Sequence, residues 1–176
     1  MAAKTTKTVE KNPARDLHAA LSSDLALART MLCVLNAQTE ALIANDARSV
    51  AMMERQCRAL ISRQEDSDRV RAEAICALAY SSGAETPDGG MPHLSDLALR
   101  MPLAESRAVL NLRRELLSTH QHIVRANERN RVLLENALNC IESTLNTVRE
   151  FAFKPTGYGA NPNTLGPTNL CLNQTA

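Results

Sequence analysis

The sequence predicts an all-α fold, an elongated antiparallel bundle or coiled coil of about three long helices plus one short helix. Three observations lead there. Apolar residues, mostly Leu and Ala, recur at alternating spacings of three and four, the repeat of a helix with one buried face. Aromatic residues make up only 2% of the chain and Trp is absent, so a β-sandwich or a parallel sheet has little to pack with. Helix-breaking residues gather at a few points, which leaves long uninterrupted stretches between them.

Residues 1–13 carry Lys4, Lys7 and Lys11 among Thr and Asn and read as a flexible N-terminal segment, ending at Pro13, which a first helical turn accepts. From Arg15 to Ala44 one face reads Leu21, Leu25, Ala28, Leu32, Leu35 and Leu42, interrupted only by Thr39. Asn45 and Asp46 break this helix, and Asp46 is placed to cap the next one. The second stripe runs Val50, Met53, Cys57 and Leu60, passes through polar Gln64, Ser67 and Arg71, and resumes at Ala74 and Leu78, so its middle is expected to pack more loosely than its ends. Three Gly and two Pro between Ser81 and Pro92 end it in a surface loop. Leu94, Leu97 and Met101 suggest a short helix before Pro102.

The last helix is expected from Leu103 to about Ala152, with a stripe of Leu110, Arg113, Leu117, His120, Val124, Asn127, Arg131, Leu134, Leu138, Ile141, Leu145, Val148 and Ala152. About fifty residues span roughly 75 Å, against about 45 to 50 Å for each of the first two helices, so part of it should overhang. Residues 14–153 thus read as the helical bundle domain. Residues 154–176, uncharged after Lys154 and rich in Pro, Gly, Asn and Thr, read as a disordered C-terminal tail.

The 20 basic and 19 acidic side chains are interspersed and give a formal charge of +1, which offers no broad positive field for nucleic acid. No apolar run reaches the length of a membrane helix, and Met1–Lys11 lacks the apolar stretch of a secretion signal, so the expected location is cytoplasmic. Five widely spaced cysteines without a Cys-x-x-Cys pair indicate neither a disulfide framework nor a zinc site, and Cys57, on the second stripe, reads as a small buried hydrophobe.

No chemical site emerges. His120 and His122, two residues apart, point about 200° apart around a helix and cannot chelate one ion; His120, on the stripe, reads as a partly buried core histidine. Glu65, Asp66 and Asp68 lack the Gly turn and bidentate Glu of a calcium loop and read as a solvated face. Gly89 and Gly90 belong to no nucleotide-binding signature. The chain therefore reads as a non-enzyme, with no metal, cofactor, nucleic acid or small-molecule substrate. Asn127 and Asn130 interrupt an apolar stripe; polar residues there either fix the register between helices or face solvent, and the sequence leaves both open.

Two segments resemble the bacterial flagellar export chaperones of the FlgN family, which serve the hook-associated proteins at the hook–filament junction. One comprises Met31, Leu32, Leu35, Glu40, Leu42, Asp46, Val50, Met53 and Leu60, similar to the family's Leu-rich helix, acidic turn and second helix. The other is Ala126-Asn127-Glu128-Arg129-Asn130-Arg131-Val132-Leu133-Leu134, continuing through Leu138, Ile141 and Leu145. Tyr158-Gly159 resembles a Tyr-Gly found after the family's last helix. The Gly/Pro loop and the extension after Ala160 have no counterpart in that resemblance.

The resemblance implies a chaperone that holds the C-terminal helices of hook-associated proteins in the cytoplasm, prevents premature assembly and hands them to the cytoplasmic domain of the membrane export gate. Substrate would lie on Leu134, Leu138, Ile141, Leu145 and Val148, and Tyr158 would dock at the gate. The residues alone also admit a structural coiled-coil subunit that homo-oligomerises through the same stripe.

Overall fold

The computed structural model describes residues 12–84, 90 and 92–153, and its helices are α1 (Pro13–Ile43), α2 (Ala47–Ser81), α3 (Leu94–Ala98) and α4 (Leu103–Phe153). Among the described residues there is no strand, and the fold is an all-α bundle. None of these helices is long and apolar enough to cross a membrane. The chain divides into two compact units between Asn136 and Ala137, the second entered within α4.

Local chemistry sets the helix ends of the first unit. The Asn12 carboxamide oxygen accepts from the backbone N–H groups of Ala14 at 3.1 Å and Arg15 at 3.4 Å, while Pro13, which has no N–H to satisfy, occupies the first helical position. At the other end of α1, Asn45 adopts φ 52°, the left-handed region that Asn tolerates better than most side chains. Its N–H donates to the Leu42 carbonyl at 3.2 Å and that of Asp46 to the Ala41 carbonyl at 2.9 Å, a Schellman closure. Asp46 then caps α2 through the Ser49 N–H at 3.1 Å, as its position predicts. The same closure ends α2, with Gly83 at φ 62° and the Ala84 N–H on the Ala79 carbonyl at 3.0 Å.

The core is built of Leu and Ala. Leu17, Leu21, Leu25 and Ala28 of α1 pack with Ala74, Ile75, Leu78 and Ala79 of α2, Leu97 of α3, and Val109 and Leu116 of α4. Contacts between helices fix their directions: Asp24 of α1 meets Ser67 and Arg71 of α2, whereas Arg29 meets Glu115, and Thr39 meets Asn130, of α4. In this unit α2 therefore runs antiparallel to α1, and α4 runs parallel to it.

The middle of α2 is more open than its ends, as expected: none of residues 61–73 is buried, against Leu60 before them and Ala74, Ile75, Leu78 and Ala79 after. Its polar residues are not idle, because Ser67 and Arg71 both reach the carboxylate of Asp24, which is fully buried, and Arg71 is held in turn by Asp68 at 2.6 Å. One expectation needs correction, the phase of α4. Its buried residues are Val109, Leu116, Ala126 and Asn130, with Leu112, Ile123 and Leu133 partly covered; Leu117, His120, Val124, Asn127 and Arg131 are exposed. The expected stripe lies one residue too far along, about 100° around the helix. Apolar doublets cause the ambiguity: Val109-Leu110, Leu116-Leu117, Ile123-Val124 and Leu133-Leu134 offer two adjacent rows. His120 is accordingly a surface residue, and Cys57 is half-buried rather than enclosed, with burial and then the Glu54 carboxylate pushing its thiol up from the ordinary value.

Candidate functional site

A polar seam in the first unit separates the two asparagines that the sequence leaves undecided. Asn130 is buried between α1 and α4, and its amide nitrogen donates to the Leu35 carbonyl at 2.9 Å and to Gln38 Oε1 at 3.0 Å. Its oxygen lies 2.5 Å from the hydroxyl of Thr39, itself buried, which also contacts the Leu35 carbonyl at 3.0 Å. Thr39, the one polar interruption of the α1 stripe, therefore meets the polar interruption of α4. Each buried donor and acceptor has a partner, so the seam carries no desolvation penalty that goes unanswered. Asn127 faces solvent. Beside it, Arg129 donates to Asn36 Oδ1 at 3.2 Å, and Arg131 is clamped between Glu128 and Glu135, which raises its already high pKa and lowers that of Glu128.

In the second unit α4 presents exposed apolar side chains. Leu138, Ile141, Leu145 and Val148 are between 48% and 64% exposed, and their spacings of three, four and three put them on one face. Phe151, three residues beyond Val148 and 72% exposed, is a further apolar side chain that the sequence reading left out; its spacing from Val148 was the available signal. Leu134, near the end of the first unit, is 39% exposed. The charged side chains Glu142, Arg149 and Glu150 are exposed on the same stretch, so the segment is amphipathic. Tyr158 lies outside the described residues, as do most of the loop between Ser81 and Pro92 and the tail from Lys154.

This arrangement offers an apolar row. Among the described residues no group of three or more His, Cys, Asp or Glu side chains is placed to hold a metal ion. Asp66 pairs with Arg69 at 3.1 Å and Asp68 with Arg71, so two members of the acidic group on α2 serve ion pairs along their own helix.

A family model described as FlgN protein matches residues 14–166, all four helices included. The chain belongs to the FlgN family. Members of this family act as chaperones in flagellar export. The match runs through the Gly/Pro loop and Tyr158 and ends at residue 166, so it takes in the loop and only the first part of the extension after Ala160. Neither the curated proteins nor the solved structures contain a significant match to the chain.

Proposed function

We propose that this FlgN-family protein is a cytoplasmic chaperone that captures the C-terminal helical segments of hook-associated proteins, keeps them from assembling prematurely and delivers them to the flagellar type III export gate. The family supplies the general role. The observation that carries the specific reading is the row Leu138, Ile141, Leu145 and Val148, exposed to water on one helical face. An amphipathic helix laid on this row covers it, and each aliphatic side chain that becomes well buried contributes roughly 1 to 3 kcal/mol. Tyr158 is the docking residue for the cytoplasmic domain of the gate in this reading, and contact with the membrane is transient and made only through the export apparatus. Asn130 fixes the register of α4 against α1 within the first unit. The reading calls for no cofactor, nucleic acid or small-molecule substrate.

The double substitution Leu138→Ser and Leu145→Ser tests it. Capture of a C-terminal fragment of a hook-associated protein should be lost, while helicity and melting temperature of the free protein stay close to wild type. A variant that melts far below wild type, or that still captures the fragment normally, sinks the proposal. Solution mass adds a second discriminator: a monomer that becomes a one-to-one complex supports the chaperone, whereas a stable homodimer without substrate favours a structural coiled-coil subunit built on the same row.

A further inference from the structure

The first unit carries an exposed apolar row of its own, with a distinct charge pattern. Leu103, Leu110, Leu117 and Val124 stand seven residues apart on α4, two turns at a time, and so line one strip of the helix. Leu103, Leu117 and Val124 are 50% to 67% exposed, and Leu110 is half-buried. The strip lies one residue on from Val109 and Leu116, which the bundle buries, so it is not a continuation of the core.

Arginines flank it on both sides. Arg107 and Arg114 follow Leu103 and Leu110 by four residues, Arg113 and His120 follow Leu110 and Leu117 by three, and Arg125 adjoins Val124. Arg107, Arg113, Arg114 and Arg125 are exposed and form no ion pair among the described residues. Glu115 is the only carboxylate of α4 between Ser106 and Asn127, and Arg29 engages it at 2.8 Å. The near-neutral chain therefore concentrates unanswered positive charge beside exposed Leu side chains.

We propose that this strip is a docking surface for an amphipathic helix of another protein, one whose apolar seam is flanked by Glu or Asp. Charge complementarity selects that occupant. A second copy of this chain would set arginine against arginine in either orientation, at a cost. An anionic bilayer favours a broad apolar face with bulky anchors, whereas this row is one side chain wide and has no aromatic residue. Nucleic acid would pair with the arginines but leave the leucines uncovered.

The probes are fluorescent peptides of about three heptads with a Leu seam and Glu flanks, a Leu seam and Lys flanks, or a Ser seam and Glu flanks, each titrated with the full chain. Only the first should bind, and added salt should weaken it. Arg113→Glu with Arg114→Glu should weaken that peptide about tenfold or more and admit the Lys-flanked one. Leu117→Ser with Val124→Ser should also weaken it. Leu138→Ser with Leu145→Ser should leave it unchanged, which separates this surface from the proposed substrate row. Circular dichroism checks that each variant stays folded, as exposed positions allow. Equal binding of the Glu-flanked and Lys-flanked peptides, or indifference to the charge reversal, overturns the proposal. So does peptide-independent binding to phosphatidylserine vesicles that the reversal abolishes, or a homodimer that Leu117→Ser dissociates.

Discussion

One helix meets two different fates in this protein. Up to Asn136, α4 sets Val109, Leu116 and Ala126 against its neighbours and answers its buried Asn130 with three partners on α1. From Ala137 on, the same amphipathic pattern continues in Leu138, Ile141, Leu145 and Val148, but every side chain from Leu138 to Ala152 is exposed. Amphipathicity is thus common to both regions, and what separates core from candidate site is whether anything covers the apolar row. Polar residues follow the same division: a polar residue in the covered region must find partners, whereas in the exposed region water supplies them.

The sharpest way to break this contrast is to remove aliphatic volume from each region. Leu17→Ala, at a fully buried position of α1, should cost about 2–5 kcal/mol and lower the melting temperature accordingly. Leu138→Ser with Leu145→Ser removes comparable apolar surface and should leave melting almost untouched. Thermal denaturation of the two variants side by side decides it. Similar losses would show that the second row is core after all.

Buried charge gives the next largest effect. Asp24→Ala strands Arg71 and the Ser67 hydroxyl, and should cost about 3 kcal/mol; the effect stays at the low end for a broken buried pair because Arg71 retains Asp68 and is about a third exposed. The triple replacement Asp24→Leu, Ser67→Ala and Arg71→Met should restore wild-type stability or exceed it, because an apolar set needs no desolvation of charge. Urea titration distinguishes the two. A single variant as stable as wild type would mean that the network contributes little.

These residues also mark how far the sequence could be read. The helices, the Asn45-Asp46 turn and much of the inward faces of α1 and α2 were legible because Leu21, Leu25 and Leu78 have only Ala or polar residues beside them. The α4 phase was not, since each apolar doublet supports two rows one residue apart. Asp24 gave no signal, because a lone carboxylate beside Leu25 looks like any surface acid until Ser67 and Arg71 are seen opposite it. Thr39 and Asn130 were each visible as interruptions, but 91 positions separate them and only the fold brings them together. The exposed row of the second unit was legible as a pattern, while its exposure was a matter of tertiary structure.

The polar seam should respond more mildly than the Asp24 network. Asn130→Ala leaves Thr39 and Gln38 without their partner and should cost about 1–2 kcal/mol. Asn130→Leu with Thr39→Val should melt at least as high as wild type yet hold α1 and α4 in a less defined register. Cysteines introduced as Asn36→Cys and Arg129→Cys, in a chain whose native cysteines are replaced by Ala, report this: their crosslinking yield should fall when the seam is made apolar. An unchanged yield would show that apolar packing alone fixes the register.

The smallest effect belongs to the cap between α1 and α2, where no buried surface is at stake and pH supplies the handle. Asp46 accepts from the Ser49 hydroxyl at 2.6 Å and from the Ser49 N–H at 3.1 Å, and these bonds, the hydroxyl first, hold its pKa below the ordinary carboxylate value. A carboxylate whose pKa is lower folded than unfolded contributes stability that is present above the unfolded value, near pH 4, and is lost as the pH falls through the folded value. Asp46→Asn keeps an oxygen able to cap α2 but has nothing to titrate. The melting temperature of wild type relative to this variant should therefore be highest near neutrality and decline as the pH drops below about 4. Ser49→Ala removes the largest cause of the shift, so the decline should be smaller in that background. Parallel curves for wild type and Asp46→Asn from pH 7 to 3 would show that Asp46 holds its proton equally well in the folded and unfolded chain, and that the turn is set by the Asn45 backbone alone.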